Sequence, residues 1–232
     1  MLDILTFNGK SFADFGTFWD GSQLFGTPEK EVEFFEIPGR NGDLSIARDR
    51  FKNKEVSINC FIRENFRNNY SNLMNYLLSQ EGYGRLENSK EPDIYRQAQF
   101  VSDLEPKTGS FLHYGSFTLT FNCKPQKWLK LGENGIDISG NLKLINPTEF
   151  TAKPLIAVSG TGRIVINDSV LDLSQNTSIT YIDCDIQDAY EGTINRNGDL
   201  NITNGFPKLI KGENNISVTG CTITLFPRWW KL

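Results

Sequence analysis

With 232 residues, 22% of them charged, and a formal net charge of −4, the chain lacks the basic stripe that nucleic-acid binding demands. A single histidine excludes a His-rich metal site, and four widely spaced cysteines (60, 123, 184 and 221) form no C-x-x-C pair. Each cysteine lies in an apolar alternation, where a reduced thiol acts as a small hydrophobe. Aromatics make up 12%, and Phe, Ile, Val and Thr runs between Gly and Asn punctuation favour strands over helices.

Residues 1–9 read as a short strand ending at Asn8-Gly9, without the basic and apolar regions of a signal peptide. No apolar run approaches the about 18 residues of a membrane span, so no membrane contact is expected. Phe12, Phe15, Phe18 and Trp19 follow, flanked by Gly16 and Gly21. They suit either a loop covering the core or an inter-subunit anchor, since aromatics are enriched in interface cores. Phe15, Phe18 and Trp19 are therefore interface candidates.

Residues 29–37 form a strand carrying Val32, Phe34 and Ile37, and Asn41-Gly42 predicts a tight hairpin turn. The return arm Arg48–Lys54 is too charged for a core and too short for an independent helix. Beyond it Val56, Ile58, Cys60 and Ile62 alternate with Ser57, Asn59 and Phe61, the period of a half-buried strand. A protruding hairpin is poorly stabilised alone, so it is expected to lie on something else. Arg40, Asn41, Gly42 and Asp43 at its tip, with Arg48 and Arg50 as fork-shaped partners for a neighbour's carboxylates, complete the interface candidates. As solvated loop charges they would contribute little.

One helix is predicted at about 65–80, with Phe66, Tyr70, Leu73, Met74, Leu77 and Leu78 on a single stripe, Asn65 as cap and Gly82 as stop. Strands follow through Tyr95–Val101 and Ser116–Cys123, the latter ended by Pro125. Residues 130–141, with Gly132, Gly135 and Gly140, read as a linker. Short strands then recur at 142–146, 154–159, 162–167, 170–173, 178–183, 214–218 and 222–226, a pattern that predicts a small β-sandwich. The fold class is mainly β: an α+β domain over 1–130 and a sandwich domain over 131–232.

The order of these motifs resembles the distal tail protein (Dit) family of long-tailed, siphovirus-type bacteriophages. The resemblance rests on Glu36-Ile37-Pro38-Gly39-Arg40-Asn41-Gly42-Asp43-Leu44, Phe51-x-Asn53, Val56-x-Ile58-x-Cys60 and the Phe121-x-Cys123-x-Pro125 close. It continues through Asn146-Pro147, Lys153-Pro154-Leu155, Phe206-Pro207-Lys208-Leu209 and Pro227-Arg228-Trp229. It implies a belt domain that closes a homohexameric ring in the virion's tail tip, and a galectin-like sandwich outside that ring. The implied partners are the major tail (tube) protein, the tail-associated hub protein and the tape-measure protein, with receptor-binding or baseplate proteins beyond them. DNA would pass the lumen without specific binding, and assembly would occur in the bacterial host cytoplasm. The second half has no room for a long receptor-gripping arm, which assigns receptor binding to another protein.

No catalytic arrangement is visible. His113 has no nucleophile motif beside it, and Asp183-x-Asp185-x-x-Asp188 lacks the glycine and terminal glutamate of an EF-hand loop. Gly160-x-Gly162 precedes a strand, not a helix, so it is no phosphate loop. The expectation is no enzyme, no metal and no cofactor. The competing reading is a carbohydrate-binding module contacting host cell-wall saccharide, for which Tyr181 and Tyr190 are the available aromatic platform.

Overall fold

The computed structural model describes residues 4–21, 26–102, 106–108, 113–175 and 178–232. They divide into two compact units, Met1–Lys127 with Leu232, and Trp128–Lys231. The fold is mainly β with one α-helix, as the sequence predicts.

The first unit opens with β1 (Leu5–Phe7) and β2 (Lys10–Ser11); residues 1–3 of the expected strand lie outside the described residues. A short 3-10 turn, Phe12–Phe15, leads to β3 (Thr17–Trp19). Next come β4 (Lys30–Phe35), β5 (Leu44–Phe51) and β6 (Lys54–Ile62). Helix α1 (Phe66–Leu78) is followed by β7 (Gly84–Asn88), β8 (Ile94–Phe100), β9 (Lys107–Thr108) and β10 (Gly115–Leu129). The sheet runs β2-β1-β7-β8-β10-β6-β3, with β9 also on β10. β6 and β10 pair antiparallel along all of β6, Val56 opposite Phe121 and Cys60 opposite Phe117. Their inward residues are the alternating apolar positions seen in the sequence, so register follows from pattern.

Helix α1 buries Phe66, Leu73 and Leu77 in this core, each contributing roughly 1.5–3 kcal/mol by leaving water. Tyr70 and Met74 pack at its margin, but Leu78, expected on the stripe, is 70% exposed. Asn65 sits in the left-handed region and makes no side-chain cap; the Phe66 N–H donates instead to the His113 carbonyl. Pro125 does not end β10, which continues to Leu129.

Residues 130–141 are not an extended linker. They form a 3-10 turn (Lys130–Glu133) and β11 (Ile136–Ile138), whose Ile138 is buried. The second unit continues with β12 (Asn141–Asn146), β13 (Leu155–Ile166), β14 (Ser169–Leu173), β15 (Ile179–Asp183), β16 (Asp188–Glu191), β17 (Ile194–Asn195), β18 (Leu200–Thr203) and β19 (Gly212–Phe226).

Two long strands organise this unit. β13 and β19 pair along most of their length, with a register shift between Gly160 and Arg163. Before the shift β13 pairs β15, and after it β14. Likewise β19 pairs β12 through its first half and β11 near its end. Two half-sheets, β17-β16-β15-β13-β19-β11 and β18-β14-β13-β19-β12, thus share two bent strands. Ile156, Val158, Ile164, Ile166, Val218 and Leu225 lie in one core cluster between them.

The sequence-predicted strand breaks at 160–161 and 219–221 are therefore bends within continuous strands. The bend requires glycine. A Cβ on Gly162 would sit 2.1 Å from the Thr219 carbonyl oxygen, and Gly220 (φ +82°) lies in the left-handed region.

Candidate assembly interface

The β4–β5 hairpin forms a two-stranded sheet of its own; among the described residues β4 pairs only with β5. Val32 stands opposite Ala47, Glu33 opposite Ile46, and Phe35 opposite Leu44, with a bulge between Lys30 and Val32. At the root, the Lys52 N–H donates to the Glu29 carbonyl, and Asn53 Nδ2 donates to Tyr83 Oη and Asn122 Oδ1.

Because Phe34 and Phe35 are consecutive, they project from opposite faces of the strand. Both are exposed, at 66% and 47%, and Ile37, Leu44 and Ile46 are exposed beside them. An isolated hairpin is marginal in water, and one with apolar groups on both faces leaves substantial hydrophobic free energy unrealised.

The connecting loop is longer than the predicted tight turn. It spans residues 36–43, and the Arg40 N–H donates to the Ile37 carbonyl. Gly39 and Gly42 take the positive φ values, whereas Asn41 does not, so the two-residue primed turn suggested by Asn41-Gly42 is absent. Arg40, Asn41, Gly42 and Asp43 all lie on the exposed tip.

Arg48 and Arg50 are engaged within their own hairpin. Arg48 meets Glu33 at 2.6 Å, Arg50 meets Glu31 at 2.5 Å and Lys52 meets Glu29 at 3.0 Å. This ladder is solvent-exposed, so each pair contributes about 0–1 kcal/mol. It neutralises the arm without finishing it.

The aromatic segment behaves differently from its candidacy. Phe12, Phe15 and Trp19 are buried in the first unit's own core, and so Phe15 and Trp19 are structural. Phe18 is half-buried on the outer side of β3, 5.9 Å from Phe61, over which the Arg63 guanidinium stacks. Gly16 supplies the left-handed cap that turns the chain inward. The sequence missed Phe35, Leu44 and Ile46, although the Phe34-Phe35 doublet signals apolar groups on both faces of a strand.

A second feature of the same unit is the outer face of β6 and β10. Ser57 and Thr120 lie within hydrogen-bond distance, and Thr118 Oγ1 donates to Asn59 Oδ1. A groove of about 580 Å³ runs over this face, lined by Glu55, Asn59, Val101, Lys107 and Thr118. Val101 and, at an adjoining depression, Tyr114 are exposed apolar groups.

The residues weighed for chemistry are otherwise engaged. His113 is exposed, and its carbonyl serves the helix; Phe111 and Leu112 beside it lie outside the described residues. Asp183 receives both Arg228 guanidinium nitrogens at 2.8 and 2.9 Å and is nearly buried. Burial pushes its carboxyl pKa up, but the bonds from Arg228 and from the Asp185 and Ile186 backbone outweigh that and hold it below the ordinary range. Asp185 pairs with Lys153, and Asp188 accepts from Asn195 and Asn197. Among the described residues no group of three or more His, Cys, Asp or Glu could hold a metal ion. The cysteines are buried and unbridged, and burial pushes the Cys60 and Cys184 thiols up to about 12. No helix among the described residues is long and apolar enough to cross a membrane.

Residues 13–123 match the family described as phage tail protein RIFT-related domain, so the first unit is similar to a phage tail domain. Over its whole length the chain has the fold of a siphophage distal tail protein, and the expected resemblance is borne out. The crystal structure of the Dit protein of phage SPP1, described as a paradigm of the hub adsorption apparatus in phages infecting Gram-positive hosts, superposes with a TM-score of 0.76 at 14% identity, covering 100% of both chains. Chains of the phage p2 baseplate in its activated conformation give TM-scores of 0.53 with strontium and 0.54 with calcium, at 11% and 12% identity, each covering 97% of this chain and 98% of the other. No curated protein sequence matches the chain.

Proposed function

We propose that this chain is the subunit of a homohexameric ring at the phage tail tip. The ring joins the tail tube to the tail-associated hub protein and leaves a channel for DNA and the tape-measure protein. The observation that carries this reading is the β4–β5 hairpin, with Phe34, Phe35, Ile37, Leu44 and Ile46 exposed on an element that no other described strand extends. Burying those side chains against a neighbour supplies the stabilisation that the hairpin lacks alone.

A ring needs a heterologous contact, in which the hairpin meets a different surface of the next copy. The grooved β6–β10 face, with Val101 and Tyr114 exposed, is the complementary surface on the same unit. The ring works as a scaffold, with no catalytic residue, metal or cofactor. Its two faces meet the tube and the hub, and receptor-binding or baseplate proteins attach further out. It is assembled in the host cytoplasm and carried in the virion. The second unit is a galectin-like sandwich outside the ring.

Light scattering on the purified chain across a concentration series tests this. A plateau mass of six chains is expected. A monomer at every concentration contradicts a ring that closes on these contacts.

A further inference from the structure

Three acids on the hairpin's outgoing arm have a cation on or just beyond the returning one: Glu29 meets Lys52, Glu31 meets Arg50 and Glu33 meets Arg48. The ladder stops short of the tip. Glu36 and Asp43, at the two ends of the loop, are exposed and meet no basic side chain among the described residues. Against the single Arg40 between them, these two carboxylates leave residues 36–43 with a net charge of −1. They adjoin Phe35 and Leu44, which stand opposite each other and are both exposed. The end of the hairpin is thus an apolar wedge with unpaired acids at its rim.

The opposite combination lies on the sheet of the same unit. The register row Lys107–Ser116–Phe61–Phe18 crosses β9, β10, β6 and β3. Its side chains point outward, because the alternate residues Phe117, Cys60 and Ile62 are buried in the core. Ser116 is small, and the surface sinks there into a depression of about 460 Å³ lined by Phe61, Arg63, Lys107 and Tyr114. The Arg63 guanidinium lies over the Phe61 ring, 5.3 Å from its centroid, and Tyr114 is exposed. Arg63 and Lys107 are exposed too, and neither meets a carboxylate among the described residues. Glu64, next to Arg63 in sequence, does not line the depression.

We propose that the hairpin tip of one copy seats in this depression on the next copy. Phe35 and Leu44 pack on Tyr114 and Phe61, and Glu36 and Asp43 meet Arg63 and Lys107. The inference rests on the ring reading above and adds to it a defined seat and a charge code. Apolar contact around the ion pairs excludes water, so they gain more than the exposed ladder does. The Arg63 fork, laid flat by Phe61, suits two parallel hydrogen bonds to one carboxylate. A purely apolar partner fits worse, because it would bury both cations unpaired. A nucleic acid fits worse as well, since two cations do not make a basic stripe.

The test is light scattering, across a concentration series, on four samples. They are the wild type, the tip variant Glu36→Lys/Asp43→Lys, the seat variant Arg63→Glu/Lys107→Glu, and an equimolar mixture of the two variants. Each variant should keep the wild-type urea midpoint yet need at least about tenfold more protein to reach six chains, because like charges then face each other. In the mixture every reversed tip finds a reversed seat and every native tip a native seat. Alternating rings of six chains should therefore form near the wild-type concentration. Lys107→Gln alone, the mildest change, should raise that concentration several-fold, which keeps the proposal testable if a charge reversal disturbs folding. Folded variants that assemble as the wild type does overturn the seat and leave the ring standing. Folded variants that fail alone and are not rescued by mixing overturn the seat as well. A wild type that is monomeric at every concentration overturns ring and seat together.

Discussion

The β4–β5 hairpin and the β13–β19 pair are both antiparallel ribbons interrupted by glycines, yet they are stabilised in opposite ways. β13 and β19 bury Ile156, Val158, Ile164, Ile166, Val218 and Leu225 in one core, and each takes further strands on its other edge. The hairpin buries almost nothing; its arms are joined by exposed ion pairs and its apolar residues face solvent. Strand pairing by itself is therefore not what completes an element here. Burial on at least one face is, and the described residues of the hairpin's own chain do not supply it.

The β13–β19 ribbon is most sensitive at its bend. Gly162→Ala places a Cβ 2.1 Å from a backbone oxygen that cannot move without unpairing the ribbon. It should cost about 3 kcal/mol or more, read as a lower urea midpoint for the second unit. Asp183→Ala leaves Arg228 without its nearly buried partner and should cost about 3 kcal/mol by the same measurement.

That pair also gives a pH signature. The Asp183 pKa is lowered in the folded state, so its stabilisation is fully present above the ordinary carboxylate value and is lost as pH falls through the lower folded value. The wild-type urea midpoint should drop more steeply than that of Asp183→Ala below about pH 4. Equal slopes would show that Asp183 is not the titrating group.

At the small end stands Arg48→Ala. It removes an exposed hairpin pair and should shift the midpoint by less than about 1 kcal/mol. A larger loss would mean that the ladder, and not a partner, finishes the hairpin.

Much of this fold was legible in the sequence because burial imposes a period. The alternation of Val56–Ile62 and Phe117–Cys123 gave β6, β10 and their inward faces, and the Phe66–Leu77 stripe gave the helix. The errors share a cause. Gly160, Gly162 and Gly220 read as turns because a glycine that ends a strand and one that bends it look alike until the partner strand is known. Strands β16 to β18 are short and partly polar, so they show no period. The interface candidates were chosen by residue type, aromatic or charged. That favoured Phe15 and Trp19, which fill the core, and Arg48 and Arg50, which pair at home, over Phe35, Leu44 and Ile46. Exposure of an apolar side chain is a property of tertiary structure, and composition does not report it.

The most direct test of the hairpin's role is the solution mass of the double variant Phe35→Asp/Ile46→Asp beside the wild type. Both residues lie on one face of the hairpin, in neighbouring register positions. If the hairpin closes the proposed ring, the variant stays monomeric at concentrations where the wild type assembles to six chains, with a urea midpoint within about 0.5 kcal/mol of wild type. A variant that assembles as the wild type does would contradict the claim that this hairpin closes the ring.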